Sequence, residues 1–380
     1  MSQRPSHPII DSDGHVQEPS DLWDRYIDRE WYDFRPTANP QATDNMIYVL
    51  GYPMSKSFLP EVGSTYRKTV VDMWNQRYRK EFDLGDAGFS PASHISAMDA
   101  EGIDQMVLYP GRGLYVCSVE HMDGRLSSAI CRAYNRWLHE FCQHDPRRLI
   151  GIALIALHDP ALAAEEARYA VEELGMHGCM VRPNPYAGRN LDDPAYDVFY
   201  AEMARLGVPL AVHEGSGVWM PEYGWERFST HIARHAMCHP FEQMAAVYSF
   251  TVGGVMERHP GLQVAILESG GTWLPYWLWR LDEHVEFLED VPEETGHLKM
   301  MPSEYFRRQG WISCEPSEPN LRSLVDSVGA DRILWASDYP HPDAKFPGVL
   351  DELAKAGPNG LTEDEIRHYS YENPKRLYNL

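Results

Sequence analysis

Residues 333 to 342 read Ile-Leu-Trp-Ala-Ser-Asp-Tyr-Pro-His-Pro. A short apolar run ends abruptly in Asp338, and two prolines and a histidine follow. A run of this length reads as a buried strand. The prolines cannot donate to a sheet ladder, so the strand stops and Asp338 sits at its C-terminal lip. A carboxylate there is costly unless it is paired or bound to a metal. The opposite end of the chain holds a counterpart, Pro-Ile-Ile-Asp-Ser-Asp-Gly-His at residues 8 to 15, an apolar run ending in Asp13 and His15. Only a closed fold brings two such ends together.

The stretch between them has the rhythm of such a fold. Short apolar runs at 9–11, 105–109, 150–155, 178–182, 209–213, 263–268, 310–314 and 333–337 read as strands. Helical patterns at 127–144, 159–174, 194–206, 242–258, 273–288 and 320–328 lie between them. Alternation of this kind marks an α/β protein with a parallel sheet built from right-handed crossovers. Eight strands are the number that closes a (β/α)8 barrel of the TIM type. An open doubly wound sheet is disfavoured, because no G-x-G-x-x-G follows the first strand. Residues 16–93 break the rhythm and carry Trp23, Tyr26, Trp31, Tyr32, Phe34, Trp74 and Tyr78. They read as an aromatic-rich insertion after the first strand, within a single domain spanning 1–380. A lid over the barrel mouth is the expected role, with a subunit contact or surface decoration as the alternative.

Composition narrows the function. The chain has 380 residues, 43% of them hydrophobic, which is enough for a large core. It carries 34 Lys and Arg against 56 Asp and Glu, for a formal net charge of −22. That balance argues against nucleic acid or an anionic membrane surface as a partner. Cys117, Cys131, Cys142, Cys179, Cys238 and Cys314 contain no C-x-x-C pair, so neither a zinc ribbon nor a disulfide scaffold is expected. The first ten residues, MSQRPSHPII, lack the apolar stretch of a secretory signal. No apolar run reaches the roughly 18 residues of a spanning helix. A cytoplasmic, reduced protein is the expectation.

In a closed barrel the strand ends converge on one mouth. They carry Asp13 and His15 after the first strand, His213 and Glu214 at the fifth, and Glu268 at the sixth. Cys314 and Glu315 stand at the seventh, and Asp338 at the eighth with His341 close behind. Two histidines and several carboxylates in one cleft suit a divalent first-row metal. Asp13 and His15 flank Gly14, so in an extended segment both point to one side.

These residues, with several motifs, resemble the amidohydrolase superfamily, in the branch that includes aminocarboxymuconate semialdehyde decarboxylase and related aromatic-acid decarboxylases. The resemblance spans nearly the whole chain. It rests on Met98-Asp99-Ala100-Glu101-Gly102-Ile103-Asp104, Arg182-Pro183 and Gly254-Val255-Met256-Glu257-Arg258-His259-Pro260, with Ser337-Asp338-Tyr339-Pro340-His341 and Asn373-Pro374. Family members usually open with His-x-His, both histidines binding metal. Here Asp13 takes the first position and His15 the second. By the resemblance His213 is the fifth-strand ligand, and Asp338 is the eighth-strand aspartate. Where the branch often has an acid/base histidine before glycines, this chain has Glu268-Ser269-Gly270-Gly271. Relatives of this kind are often dimers, so the resemblance implies a homodimer.

Glu268 is open to three readings: general acid/base, further ligand of a two-metal site, or a buried carboxylate orienting a loop. His239, in His239-Pro240-Phe241-Glu242, reads as acid/base, ligand or structural residue at a helix start, where Pro240 suits the first turn. His341 lines the mouth or serves a turn. Arg182 offers a planar fork to a substrate carboxylate, or else forms a core salt bridge. Cys314 reads as a packed strand cysteine, with a nucleophile at the strand end as the lesser alternative, and Glu315 and Glu318 read as loop or supporting residues. Trp219, Trp273, Trp277 and Trp279 suggest a roomy apolar pocket, although Trp273, Tyr276 and Trp277 are spaced for core packing on one helix face.

The leading expectation is a metal-dependent hydrolase acting on a small organic acid derivative: an amide, ester, thioester or lactone. Asp13, His15, His213 and Asp338 would hold one or two divalent ions of zinc, manganese or iron. Glu268, Asp338 or His239 would move the proton. The alternative is metal-dependent, non-oxidative decarboxylation of an aromatic or unsaturated carboxylic acid. A non-enzymatic binding module is the third possibility, since one barrel hosts many functions.

Overall fold

A computed structural model describes residues 4–38, 47–59, 89–341, 344 and 346–380. Trp74 and Tyr78 lie outside these residues.

Eight parallel strands follow one another in chain order: β1 (Ile10–His15), β2 (Gln105–Tyr109), β3 (Leu149–Gly151, continuing as Ala153–Leu154), β4 (Cys179–Val181), β5 (Leu210–Val212), β6 (Val264–Ile266), β7 (Gly310–Cys314) and β8 (Ile333–Trp335). Every residue of β3 to β8 is buried, as expected of strands covered on both faces. The first half of β3 pairs with β2 and the second half with β4, which joins two sheets into one. β1 and β8 close the ring just past the end of β8. There the Asp338 N–H donates to the Asp13 carbonyl at 3.0 Å, and the His15 N–H to the Tyr339 carbonyl at 2.6 Å. Buried Asp11 adds to the seam, accepting from the Ser337 N–H at 2.9 Å and from the Ser337 hydroxyl. The result is the (β/α)8 barrel.

β1 runs further than the 9–11 expected from its apolar residues. Asp11 pairs with Met106 and Gly14 with Leu108, so β1 spends one extra residue in a bulge between them. Gly14 is required there, since a Cβ would lie 2.7 Å from both Cγ and Sδ of Met106.

The helices form the outer layer, and one departs from expectation. The helix placed at 242–258 begins at His231, where Thr230 caps it, and ends at Phe250. Pro240 is therefore inside the helix rather than in its first turn. The chain resumes as a short helix, Val255–Arg258, after Gly253 and Gly254, the latter at φ +79°. Trp273, just before the helix Leu274–Phe287, and Trp277 on it are half-buried, with indole N–H groups bonded to main-chain carbonyls. Tyr276, expected in the core beside them, is 59% exposed because it faces away from the barrel.

The described part of the insertion divides its contacts. Helix Leu22–Tyr26 leans on Gly124–Cys142, with the Trp23 indole N–H donating to the Ile130 carbonyl at 3.3 Å. Three short antiparallel strands, Thr37–Ala38, Ile47–Val49 and Tyr52–Pro53, lead to the segment that reaches the loop after β5. The Lys56 N–H donates to the Gly217 carbonyl at 2.6 Å, and the Trp219 indole N–H to the Pro53 carbonyl at 2.7 Å. Among the described residues, no helix is long and apolar enough to cross a membrane.

Candidate active site

The residues carried by the ends of β1, β5 and β8 meet at the mouth. Asp13 Oδ1 lies 3.3 Å from His213 Nε2 and 3.5 Å from His15 Nε2, and His15 Nε2 is 3.4 Å from Asp338 Oδ1. Asp13, His15 and His213 present ligand atoms within 4.8 Å of one another, and so do His15, Asp338 and His341. The two groups share His15.

The second nitrogen of each ring decides what faces inward. His15 Nδ1 lies 2.9 Å from the Pro110 carbonyl, and His213 Nδ1 lies 2.8 Å from the Glu214 carbonyl. A carbonyl only accepts, so both Nδ1 atoms carry the proton and both Nε2 lone pairs face the carboxylates. His15 Nε2 is buried with no hydrogen-bond partner among the described residues. Lone pairs set against carboxylate oxygens repel each other until a cation lies between them. Two imidazole nitrogens and two carboxylate oxygens therefore fit a divalent first-row metal.

Electrostatics agrees with that donor set. Burial raises the Asp13 carboxyl to about 7, against the pull of His15. Burial also lowers His15 and brings His213 down to about 3, so both rings are neutral and able to coordinate. Asp338 is half-buried, and against the cost of desolvation His341 above all holds its carboxyl well below the usual range. His341 Nδ1 lies 2.7 Å from Asp338 Oδ1, and its ring stacks on His15 at 4.0 Å.

Glu268 stands at the side of this cluster. Its Oε2 lies 3.0 Å from His213 Nδ1 and its Oε1 3.8 Å from His341 Nδ1. Among the described residues it belongs to no group of metal-ligand geometry. Glu268 and Asp338 share a left-handed backbone, at φ +53° and +59°. Non-glycine residues seldom adopt that conformation, and functional sites are where it persists. The surrounding loop is held by Glu318, which accepts from the backbone N–H groups of Gly271, Thr272 and Glu315 at 2.9, 3.0 and 2.6 Å. A cleft of about 620 Å³ opens over the site, lined among others by Asp13, His239, Glu268, Ser313 and Asp338. His239 Nδ1 lies 2.8 Å from the Glu268 carbonyl, and its buried Nε2 has no hydrogen-bond partner among the described residues.

Arg182 is placed otherwise than as a substrate clamp. Its guanidinium is buried, bonded to Glu214 Oε2 at 3.0 Å, the Gly215 carbonyl at 2.6 Å, the Leu114 carbonyl at 3.0 Å and Asn184 Oδ1 at 3.1 Å. The fork is spent on joining the ends of β2, β4 and β5. Cys314 is a buried strand residue whose thiol is pushed well up by burial, the reverse of an activated nucleophile. All six cysteines are free thiols.

Several residues of the site escaped sequence reading. Asp11 ties β1 to β8. Glu18 is buried and gathers the N–H groups of Gly111, Arg112 and Gly113 at 3.1, 2.7 and 2.9 Å, fixing the loop whose Pro110 carbonyl orients His15. Gln243 Nε2 donates to the Val212 and Leu267 carbonyls at 2.8 and 3.0 Å, linking the ends of β5 and β6. Only Asp11 carried a signal, as a second acid in the Asp-Ser-Asp stretch.

Comparison with known proteins bears on the chemistry. Residues 10–380 match the Amidohydrolase family. The chain is 29% identical over 322 residues to gamma-resorcylate decarboxylase of Rhizobium sp. (strain MTP-10005), covering 81% of this chain and 91% of that protein. It is 27% identical to 2-amino-3-carboxymuconate-6-semialdehyde decarboxylase of Dictyostelium discoideum, over 58% of this chain and 59% of that protein. The crystal structure of dihydroxybenzoic acid decarboxylase from Polaromonas sp. JS666, with bound manganese and the inhibitor 2-nitroresorcinol, superposes with a TM-score of 0.68 at 20% identity, covering 98% of this chain and 97% of that one. These findings overturn the expectation of hydrolysis. Glu268, one of whose readings was a further ligand of a two-metal site, lies outside the ligand groups, and the relatives are decarboxylases. The chain is an enzyme of the amidohydrolase superfamily, in the decarboxylase branch.

Proposed function

We propose that this protein is a metal-dependent, non-oxidative decarboxylase of an aromatic carboxylic acid bearing a hydroxyl beside the carboxylate. The observation that carries the proposal is the pair of inward-facing Nε2 atoms of His15 and His213 between Asp13 and Asp338. Glu268 beside them is a hydrogen-bond acceptor rather than a further ligand. Asp13, His15, His213 and Asp338 would hold a divalent cation such as manganese, zinc or iron, which would supply Lewis-acid stabilisation of the substrate's negative charge.

The chain's own residues do the rest. The Asp338–His341 pair, 2.7 Å apart, holds the proton destined for the ring carbon that bears the carboxylate. Protonation at that carbon lets its bond to the carboxylate break, with the electron pair returning to the ring and CO2 leaving. Solvent then restores the proton to the pair. His239, anchored through Nδ1 on the Glu268 carbonyl, presents Nε2 to the cleft as an acceptor for a substrate hydroxyl. The insertion acts as a lid through its contact at Gly217, which keeps water from the protonated ring.

The test is direct. Metal-loaded protein is incubated with ortho-hydroxy aromatic acids, 2,6-dihydroxybenzoate among them, and products are separated by chromatography. Formation of the parent phenol in step with CO2 supports the proposal. Intact acids throughout the series would overturn it.

A further inference from the structure

Tyr115 belongs to the short helix Gly113–Val116 that follows β2. Its side chain is half-buried at the mouth, and its hydroxyl makes no hydrogen bond to a described residue. The hydroxyl lies against Gly215, two residues beyond His213. A Cβ at position 215 would sit 3.1 Å from Tyr115 Oη and 3.3 Å from Cζ, so the glycine leaves room for the phenol.

Arg182 sets this arrangement. Through Nη1 it holds the Leu114 carbonyl, and through Nη2 the Gly215 carbonyl, so one buried guanidinium fixes the residue before Tyr115 to the backbone beneath its hydroxyl. The same guanidinium lies 5.9 Å from the Tyr115 ring centroid. The hydroxyl is thus held on a rigid support beside the β5 end, where Glu268 Oε2 contacts His213. Burial raises the phenol's pKa; the Arg182 charge opposes this, and the charges of Glu268 and Glu214 add to it. It remains a donor at any working pH.

A hydroxyl on a ligand needs one acceptor for its hydrogen and one donor for its lone pair. Glu268 offers the acceptor, and Tyr115, near enough to feel the charge of Glu268, offers the donor. We infer that Tyr115 is a specificity-determining residue that, together with Glu268, binds a second hydroxyl of the aromatic acid, away from the one beside the metal site. This rests on the decarboxylase reading for the class of ligand, and its test separates the two.

Dissociation constants of the metal-loaded protein are measured for 2,6-dihydroxybenzoate, which has the second hydroxyl, and 2-hydroxybenzoate, which lacks it. Tyr115→Phe is expected to weaken the first by about tenfold, as loss of one hydrogen bond does, and the second by less than about twofold. Metal content and melting temperature stay at wild-type values. Gly215→Ala, which pushes the hydroxyl aside without removing it, is expected to show the same selective loss and serves if Tyr115→Phe is unstable. Equal changes for both ligands, no change for either, or no binding of either by the wild type would overturn the assignment. CO2 release is scored separately on the wild type. Selective loss of binding with no CO2 from any acid leaves Tyr115 in place and sinks the decarboxylase reading.

Discussion

The backbone N–H of Asp338 donates to the carbonyl of Asp13 at 3.0 Å, so the barrel closes at the same residues that supply its candidate metal ligands. Closure and metal binding are therefore linked. Asp11 reinforces the seam through Ser337. Asp11→Ala removes the acceptor of two buried donors, and a loss of about 2–3 kcal/mol is expected from urea unfolding. Metal content should fall with it, since Asp338 follows Ser337.

His15→Ala and His213→Ala each remove one inward-facing Nε2. Each variant should lose bound metal and turnover while keeping its circular dichroism spectrum, because the strand pairing of β1 and β5 is made by backbone groups that the substitutions leave in place. Elemental mass spectrometry on protein purified without chelator checks this. A double variant with full metal content and activity would refute the ligand assignment.

Glu242 is buried beside Glu222, and burial first, then that neighbour, raise its carboxyl to about 7. The folded state thus keeps a proton that the unfolded chain releases above its ordinary carboxylate range. The stabilisation is full at pH 4 and is lost as pH rises through about 7. Glu242→Gln has no such loss. It should match the wild type near pH 4 and exceed it at pH 8 by on the order of 2 kcal/mol in urea unfolding.

Gly217 has φ +87°, and a Cβ there would lie 2.5 Å from both Ser55 Oγ and Ser57 Oγ. Gly217→Ala should displace the insertion from the loop after β5 while leaving the ligands in place. KM for a decarboxylated acid is expected to rise several-fold with metal content unchanged. An unchanged KM would remove the lid role.

The barrel was legible because strands buried on both faces are written as continuous apolar runs. The cluster of candidate ligands was legible because each stands where such a run ends: Asp13, His15, His213 and Asp338. What escaped depends on contacts between separate strand ends. Arg182 looked like a substrate clamp, but its partners Leu114 and Gly215 come from two other loops. The direction in which Glu268 points is set by a left-handed backbone that its sequence context does not announce. A carboxylate open to reading as acid/base, metal ligand or loop support therefore turns to His213. Pro240 reads as a helix start, yet Thr230 caps the helix ten residues earlier. A cap supplies a hydrogen bond, whereas a mid-helix proline only forfeits one.

The most direct measurement is the isotopic fate of the substrate carbon. Metal-loaded protein turns over carboxyl-¹³C-labelled 2,6-dihydroxybenzoate, and a panel of other ortho-hydroxy aromatic acids, in D2O. The expected result is ¹³CO2 with one deuterium on the ring carbon that lost the carboxylate, and no ¹³CO2 from protein stripped of metal. Retention of the carboxyl label across the panel, or ¹³CO2 release undiminished after metal removal, would contradict metal-dependent decarboxylation.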